Sequence, residues 1–361
     1  MSGEPSATGT SATDLSRGAS DPTATVGGAG EPSSNAPRVI TVSVPATTAN
    51  LGVGFDVLGM ALSLRANFRF EVADRLQIDG CPAQFAGEDN LVWTSYLAAT
   101  KQLGLPAHVL HIVEDCPIPM SGGMGSSSAC VVAGICAAQA LSGQSMPAAG
   151  DRLTPRNGPI PDEPTPIEAD RKTMLSVAAA IEGHPDNVAP AILGGLVSSF
   201  IEKGEGRSGG MQVHSLSWNV SDDLRFVCMA PPYRVLTSEA REALPKEVPL
   251  QVVSWQVGRC LALVRALESG DEEAIASCCN DRVHEPYRAK LIADYERLRA
   301  RSLEAGACAF LISGSGATML AIARGEEVAS RVADAVQELM PTLWVRVLRS
   351  EPQGVAVKRL V

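Results

Sequence analysis

The stretch IPMSGGMGSSSAC, from Ile118 to Cys130, decides the fold, because its glycines and three consecutive serines run directly into the apolar segment VVAGICAAQAL. Glycine adopts dihedral angles closed to other residues and lets the backbone approach a ligand closely. Successive backbone amides and the positive end of the following helix then provide fixed donors to an anion. The stretch therefore predicts a phosphate-binding loop that opens a helix from about Ser127 to Leu141. A flexible Gly/Ser turn before a packed helix is the alternative.

The loop contains no lysine, so it is not a Walker A loop, which ends in Gly-Lys followed by Ser or Thr. The charge of a bound phosphate must therefore be balanced by backbone amides, the helix terminus and a metal ion. Ser126 and Ser127 are the candidate ligands of Mg²⁺ in this stretch.

Composition limits the class of protein. The chain has 361 residues, 45% hydrophobic and 19% charged, which is enough for two domains with a substantial core. A net charge of −10 and the lack of a basic stripe with interleaved aromatic residues argue against a nucleic-acid partner. No apolar run reaches the length of a membrane span. The cysteines form no Cys-x-x-Cys pair and no secretory signal is visible, which favours reduced thiols and a cytoplasmic protein.

Two segments are predicted to lie outside the folded core. Residues 1–37 are rich in Ser, Thr, Ala, Gly and Pro without any aromatic residue, which predicts a disordered tail. A plastid transit peptide is the alternative, but such peptides are Arg-rich and poor in acids, whereas this tail has four acidic residues and only Arg17. Residues 142–170 are polar and contain six prolines, which predicts an exposed insertion between helices.

Alternating apolar residues predict strands on both sides of the phosphate loop. The predicted strands are VITVSV (Val39 to Val44), NFRFEVA (Asn67 to Ala73), HVLHIVE (His108 to Glu114), LVSSFI, MQVHSLSW, LRFVCMA, CAFLI, TMLAI, LWVRVL and GVAVK. Helices are predicted over RKTMLSVAAAIEG, over most of the chain from Ser238 to Ala305, and from Glu326 to Met340, with a Gly-rich hairpin at residues 204–210. The pattern predicts two α+β domains, residues 38–220 and 221–361.

Two further glycine-rich segments carry candidate site residues. VPATTANLGVGFDVLGMAL, Val44 to Leu62, ends a strand in a turn that exposes Asn50 and Asp56, both able to hold an ammonium or hydroxyl group. ISGSGATMLAI, Ile312 to Ile322, is a Gly-Ser-Gly turn between strands that could close over phosphates. A capped turn and a tight hairpin are the purely structural alternatives.

A third segment, EGHPDNVAPAILGG, places Glu182, Asp186 and Asn187 close together beside prolines and glycines that break regular structure. A carboxylate can bind Mg²⁺ or accept a proton, while a neutral amide can only orient a hydroxyl group. The alternative is a helix-ending Pro/Gly segment without chemistry.

Together and in this order, these segments resemble the GHMP kinase superfamily, whose members include galactokinase, homoserine kinase, mevalonate kinase and phosphomevalonate kinase. The resemblance covers Val39 to Val361, and the superfamily signature is met position by position from Ile118 to Ala129. Within the superfamily the chain is most similar to the homoserine kinase family. PATTANLGVGFDVLG, HPDNVAP, TSEAREALP (Thr237 to Pro245), HEPYR (His284 to Arg288) and ISGSGAT carry that similarity. Ala317 stands where the family usually has proline, a mild departure since alanine also suits a turn.

The resemblance implies an α+β, two-domain GHMP kinase fold, with an N-terminal ATP-binding domain like domain 2 of ribosomal protein S5 and a ferredoxin-like C-terminal domain. It implies ATP- and Mg²⁺-dependent phosphorylation of L-homoserine to O-phospho-L-homoserine in threonine biosynthesis. The implied protein is a cytoplasmic homodimer that binds ATP and a small-molecule substrate, without nucleic acid or membrane.

The resemblance also assigns residues to roles. ATP would contact Pro119, Ser121, Gly122, Gly123, Met124, Gly125, Ser126, Ser127, Ser128, Gly314, Ser315 and Gly316. Mg²⁺ would be held by Ser127 and Glu182, and the substrate by Asn50, Asp56, Asn187, Thr237, Arg241 and Arg288.

Within the substrate set, Arg241 and Arg288 match carboxylate-binding arginines whose planar guanidinium suits a bidentate contact. Without the resemblance they would be read as ordinary solvated charges. Asp56 with Asn50 would take the ammonium group, and Asn187 would orient the hydroxyl group. Asp186 and Asn187 are the catalytic candidates, with Asp186 expected to support Asn187 and a general-base role for Asp186 as the alternative.

Two rival functions stay open at the sequence level. Another GHMP kinase, acting on mevalonate or a sugar, would have no need for paired arginines. A non-catalytic metabolite sensor of the same fold would be expected to show decay in the serine loop or at Glu182 and Asn187, and the sequence shows none.

Overall fold

The computed structural model describes residues 38–120, 122–144, 166–203 and 211–360, which form two β-sheets with helices packed on them. The strands are β1 (Val39–Ala49), β2 (Leu58–Val72), β3 (Gln77–Asp79), β4 (Leu110–Asp115), β5 (Leu196–Lys203), β6 (Met211–Trp218), β7 (Leu224–Ala230), β8 (Ala309–Ile312), β9 (Met319–Arg324), β10 (Trp344–Leu348) and β11 (Ala356–Leu360). The helices are α1 (Leu91–Leu103), α2 (Ser126–Leu141), α3 (Pro166–Glu182), α4 (Val188–Leu193), α5 (Thr237–Glu242), α6 (Leu250–Ser269), α7 (Glu272–Cys278), α8 (Glu285–Arg288), α9 (Tyr295–Glu304) and α10 (Glu326–Leu339).

The first sheet has the strand order β11-β1-β2-β4-β3, and β5 and β6 extend it beside the start of β2. The 15-residue β2 pairs with β5 through its first residues and with β4 through its last ones. In β1, Ile40, Val42 and Val44 are fully buried, while the residues between them are partly exposed, as a half-buried strand requires. Past a register shift between Pro45 and Ala46 the strand is buried on both faces, because it runs beneath the phosphate loop.

The second sheet is antiparallel with the order β10-β7-β9-β8. Its chain path is strand, helices, two strands, helix and strand, which is the β-α-β-β-α-β arrangement of a ferredoxin-like unit. α10 packs on this sheet through Val332 and Val336, both fully buried. The α+β fold class expected from the sequence is therefore confirmed.

Most predicted elements are present, with shifted ends. The first strand continues to Ala49, the strand predicted from His108 begins at Leu110, and the helix after the loop begins at Ser126. α3 begins at Pro166, so the insertion predicted over 142–170 ends earlier than expected. The rest of that insertion from residue 145, the Gly-rich hairpin at 204–210 and the predicted tail at 1–37 lie outside the described residues.

The last strand corrects the predicted organisation. The chain changes sheets between Trp218 and Leu224, but β11 returns to the first sheet, where Val357 lies opposite Val42 of β1. Residues 221–361 therefore do not contribute to the second sheet alone. The physical reason is that β1 would otherwise be an edge strand with unpaired backbone groups, and β11 covers that edge.

Helix α2 is buried almost all round, which explains its uniformly apolar sequence. It packs against α1 at Gly134, where a Cβ atom would lie 2.9 Å from the Cβ of Ser95 and closer still to α1 backbone atoms. The close approach of the two helices therefore requires glycine at this position.

We predict opposite stability effects for two helix-interior glycine substitutions. Gly134→Ala should lower the free energy of unfolding by about 1–3 kcal/mol, because the added methyl overpacks the α1–α2 contact. Gly258→Ala is the matched control, since a Cβ there meets nothing within 4 Å. It should raise stability by about 0.5–1 kcal/mol through helix propensity. Urea unfolding measures both, and equal shifts for the two variants would contradict the packing explanation.

Candidate active site

A cleft of about 360 Å³ lies beside α5 and α8, where three glycine-rich segments meet. They are the first glycine-rich turn (within Val44 to Leu62), the phosphate loop (Ile118 to Cys130) and the third glycine segment (Ile312 to Ile322). The predicted residues that line it are Asn50, Asp56, Gly122, Gly123, Gly125, Ser126, Ser127, Ser128, Glu182, Asp186, Asn187, Thr237, Arg241, Arg288, Gly314 and Ser315. Leu91, Ile181 and His184 also line it and were not predicted. The fold thus brings together residues from both halves of the chain in one concave site.

The phosphate loop is held rigidly from two sides. Gly123 and Gly125 have φ angles of 85° and 69°, which other residues rarely adopt. A Cβ at Gly123 would clash with the carbonyl of Ser313, and a Cβ at Gly125 would clash with the hydroxyl of Thr47. Ser313 Oγ donates to the Gly123 carbonyl at 2.6 Å, and Thr318 N donates to the Gly122 carbonyl at 2.9 Å. The third glycine segment therefore clamps the first turn of the loop.

This clamping leaves donors for an anion. In the part of the chain that the structure describes, no backbone acceptor is found in turns and loops for the N–H groups of Gly123, Gly125 and Ser126. They lie at the N-terminus of α2, where the helix dipole favours negative charge. The loop can therefore bind a phosphate without a lysine.

Three of the predicted ATP contacts that the structure describes, Pro119, Met124 and Gly316, do not line the cleft. The Met124 side chain is fully buried, and its carbonyl accepts a hydrogen bond from Thr47 N at 3.1 Å. Pro119 lines a neighbouring cavity beside Tyr233. Gly316 is buried in the third glycine segment, and Ser121 lies outside the described residues. Met124 and Gly316 shape the backbone of the site, and nothing in the sequence separates such residues from those that face a ligand.

Glu182, the last residue of α3, faces the serines of the loop. Its carboxylate accepts hydrogen bonds from Ser127 Oγ at 3.2 Å and Ser128 Oγ at 3.1 Å. Burial is the main cause that raises the pKa of Glu182 above its ordinary value, so the site favours neutralisation of this carboxylate. Carboxylate and hydroxyl oxygens are ligands that Mg²⁺ prefers, and the described residues hold no cluster of three His, Cys, Asp or Glu. The donors fit an ion that takes its remaining ligands from phosphate and water.

His184, Asp186 and Asn187 form a polar wall beside Glu182. His184 Nδ1 lies 2.8 Å from Asp186 Oδ1, and this hydrogen bond raises the pKa of His184. Asp186 is only 3% exposed, and its Oδ1 is paired with His184 at the wall of the cleft. Asn187 Oδ1 accepts from Thr47 Oγ1 at 2.8 Å, which fixes the amide with its NH₂ group available as a donor.

Asn50, predicted to bind the ammonium group together with Asp56, is hydrogen-bonded to two segments of the protein. It is 3% exposed, its Nδ2 donates to the Gly314 carbonyl at 2.8 Å, and its Oδ1 accepts from Asp56 N at 3.0 Å. Its φ angle of 69° is one that asparagine tolerates better than most residues. Asn50 therefore holds the turn that presents Asp56 and also lines the cleft, and its contact with an ammonium group stays a prediction.

The two charges predicted to bind opposite ends of the substrate face each other. Arg241 Nη1 and Nη2 lie 3.1 and 3.3 Å from the two carboxylate oxygens of Asp56. Thr237 Oγ1, at the start of α5, lies 3.4 Å from Ser315 Oγ at the mouth of the cleft. The pair offers a carboxylate and a guanidinium group side by side.

Arg288 is 3% exposed and tightly bound by backbone groups. Its Nε donates to the Ala240 carbonyl at 3.2 Å and its Nη1 donates to the Gly314 carbonyl at 3.0 Å. Among the described residues Nη2 donates to no protein group, so one nitrogen is available to a ligand in the cleft. The bidentate contact expected from the sequence is therefore not available at Arg288.

Helix α8 is anchored by two buried acids that were not singled out in the sequence. Asp281 Oδ2 accepts from the backbone N of His284 and of Glu285, both at 2.7 Å. Glu285 Oε1 accepts from Ile312 N at 2.6 Å. Burial raises the pKa of Glu285 to about 8, so this acid is protonated at neutral pH. These bonds fix α8 against the strand that leads into the third glycine segment.

Both halves of the chain match profiles of known families. The profile of the GHMP kinases N terminal domain matches residues 90–153, and that of the GHMP kinases C terminal domain matches residues 263–342. The crystal structure of homoserine kinase from Cytophaga hutchinsonii covers 89% of this chain and 98% of its own, with a TM-score of 0.72 and 28% identity. L. major mevalonate kinase in complex with R-mevalonate has a TM-score of 0.61 at 15% identity and shares the fold. The fold is that of a GHMP kinase.

Curated relatives define the family more closely. A homoserine kinase of Thermus thermophilus is 39% identical over 287 residues, 79% of this chain and 87% of the relative. The homoserine kinase of Clostridium beijerinckii is 35% identical over 286 residues, 79% of this chain and 86% of the relative. The chain belongs to the homoserine kinase family.

We predict that Glu285→Gln changes the pH dependence of stability. The pKa of Glu285 rises from 4.5 in the unfolded chain to about 8 in the fold, so between these values only the folded state keeps the proton. The contribution of Glu285 to the free energy of unfolding therefore falls as pH rises through this window and is level above it. Glutamine does not ionise, so its contribution to the free energy of unfolding does not fall with pH. Urea unfolding at pH 5, 6.5 and 8 should therefore show the free energy of unfolding of the variant rising relative to that of the wild type. Parallel curves for the two proteins would contradict the buried, protonated state.

Proposed function

We propose that the protein transfers the γ-phosphate of ATP to the hydroxyl group of L-homoserine and forms O-phospho-L-homoserine, a step of threonine biosynthesis. One observation carries the proposal. Beside a loop with free backbone donors, the cleft holds the Asp56 carboxylate, the Arg241 and Arg288 guanidinium groups and the Asn187 amide. These groups match the ammonium, carboxylate and hydroxyl groups of homoserine, and the curated relatives that carry the name homoserine kinase support the match.

The charged groups suit a zwitterion. Asp56 and Arg241 lie side by side, so a ligand with an ammonium and a carboxylate on one carbon can pair with both. Arg288, which lines the same cleft, would add a second donor for the carboxylate through Nη2. Mevalonate and sugars lack an ammonium group, so neither substrate could pair with the Asp56 carboxylate as homoserine can.

Phosphoryl transfer depends on positioning and on neutralising phosphate charge more than on covalent help from the protein. The amides of the loop and the N-terminus of α2 would hold the phosphates, and Asn187 would orient the attacking hydroxyl group. Mg²⁺, held by Ser127 and Glu182, would neutralise charge on the transferred phosphate. Asp186 would support Asn187 and His184, since its carboxylate is buried and hydrogen-bonded to His184.

Location and assembly are part of the same proposal. Across the described ranges, no helix is both long and apolar enough to cross a membrane. We propose a cytoplasmic homodimer, as the family resemblance implies. Exposed apolar side chains along one face of α6, at Leu250, Val257 and Leu261, offer a surface for such a contact.

The proposal is tested by ADP release with purified protein, MgATP and a panel of acceptors. L-Homoserine should support turnover and give a phosphate ester detectable by ³¹P NMR, while mevalonate and galactose should not. Turnover with mevalonate or galactose alone would favour another kinase of the superfamily. A protein that binds ATP without turnover on any acceptor would favour a metabolite sensor.

We predict that Arg241→Ala raises the KM for homoserine by roughly 10- to 100-fold, because a charge-assisted hydrogen bond contributes about 1.5–3 kcal/mol. The KM for ATP should change little, since Arg241 lies on the substrate side of the cleft. Arg265→Ala is the control, because Arg265 is exposed and pairs with Glu268 at the surface, away from the cleft. Steady-state kinetics of the two variants decide the role, and an unchanged KM for homoserine in Arg241→Ala would remove Arg241 from the substrate site.

The Asp186→Asn variant tests whether Asp186 supports Asn187 or acts as a general base. We expect turnover to fall only severalfold, because Asp186 is paired with His184 and is not the proton acceptor. A positioned general base contributes about 10²- to 10⁴-fold, so a loss of roughly a thousandfold would assign Asp186 that role instead.

A further inference from the structure

His284 is fully buried at the start of α8 and joins two substrate-side segments that are distant in sequence. Its Nε2 lies 2.8 Å from the carbonyl oxygen of Gly52, in the turn that presents Asp56. Its Nδ1 lies 3.4 Å from Arg288 Nη1 on the next turn of the same helix. One imidazole ring therefore contacts both sides of the proposed homoserine site.

The two neighbours fix the protonation of the ring. A backbone carbonyl only accepts, so Nε2 carries the hydrogen atom, and a guanidinium group only donates, so Nδ1 carries the lone pair. The imidazole is therefore neutral, in one tautomer. The ring of Phe55 stacks on it with centroids 5.2 Å apart and planes inclined by 29°, which fixes its orientation as well.

This arrangement restricts Arg288. Nη1 carries two hydrogen atoms, and the Gly314 carbonyl and His284 Nδ1 are their two acceptors. Nε donates to Ala240, so the guanidinium group is held at three points and turns Nη2 towards the cleft. Without the Nδ1 acceptor, one Nη1 hydrogen would be left buried without a partner, which favours a different orientation of the group.

We propose that His284 is a positioning residue for homoserine: as a neutral imidazole it orients Arg288 and ties it to the turn that carries Asp56. The group that meets the substrate carboxylate and the group that meets the ammonium are thereby held at a fixed separation. The inference rests on the proposed function, since it assigns a task to Arg288 and Asp56 within that reaction.

The charges around His284 bear on its protonation. Burial is the main cause that lowers the pKa of His284, and Arg288 lowers it further, while Asp281 and Asp56 raise it. Asp281 Oδ2 lies 3.9 Å from Nε2, but it already accepts from three backbone N–H groups. Glu285, the next residue, is protonated at neutral pH and adds no charge. Protonation of Nδ1 would set two cations face to face and remove the acceptor from Arg288.

Two amide variants separate the two contacts. In His284→Asn the side-chain oxygen can take the place of Nδ1 and accept from Arg288, while in His284→Gln the longer amide can take the place of Nε2 and donate to Gly52. We expect the KM for homoserine to rise by roughly tenfold or more in His284→Gln and by only about two- to threefold in His284→Asn. The KM for ATP should stay within about twofold in both variants. The wild-type KM for homoserine should rise at acid pH more than that of His284→Asn.

Three results would overturn the inference. Equal changes in the KM for homoserine and in thermal stability for both variants would mean that His284 only supports the fold. An unchanged KM in His284→Gln would mean that Arg288 does not need the Nδ1 acceptor. If neither variant folds, ¹⁵N NMR of the wild-type histidines decides, since a His284 imidazolium at pH 7 contradicts the required tautomer. Failure of the proposed function is distinct, because the wild type would then release no ADP with homoserine.

Discussion

The carbonyl oxygen of Gly314 is the point on which the candidate site depends. It accepts from Asn50 Nδ2 at 2.8 Å and from Arg288 Nη1 at 3.0 Å, and so joins the first glycine-rich turn, helix α8 and the third glycine segment. All three groups are buried, where a lost hydrogen bond leaves a polar atom unpaired at a cost of about 1–3 kcal/mol. The same segment also clamps the phosphate loop through Ser313, so one turn fixes the substrate wall and the anion-binding loop together.

Charge balance explains why the site can hold a polyphosphate and a zwitterion without a lysine in the loop. On the phosphate side, loop amides without an acceptor among the described residues and the helix dipole meet negative charge, and the oxygen donors of Ser127 and Glu182 suit a divalent cation. On the substrate side, the guanidinium groups of Arg241 and Arg288 lie in the same cleft as the carboxylates of Asp56 and Asp186. The guanidinium groups favour a substrate carboxylate, while Asp56 favours ligands that also carry an ammonium group.

The sequence predicted much of this, because glycine spacing and apolar alternation are local signals. They located the phosphate loop, nearly every strand and most of the residues that line the cleft. Contacts between distant segments could not be read in the same way. The Asn50 side chain is held by the Gly314 carbonyl, 264 residues away, and β11, within the predicted second domain, pairs with β1 of the first sheet. His284 carried only a motif match, since its role depends on Gly52, which is 232 residues away in the chain.

The most direct measurement is a crystal structure of the protein with L-homoserine and a non-hydrolysable ATP analogue. We expect the homoserine ammonium on Asp56, its carboxylate on Arg241 and Arg288 Nη2, and its hydroxyl group within hydrogen-bond distance of Asn187 and directed at the γ-phosphate. A homoserine bound with its carboxylate towards the phosphate loop, or with its hydroxyl group away from Asn187, would contradict the proposed site.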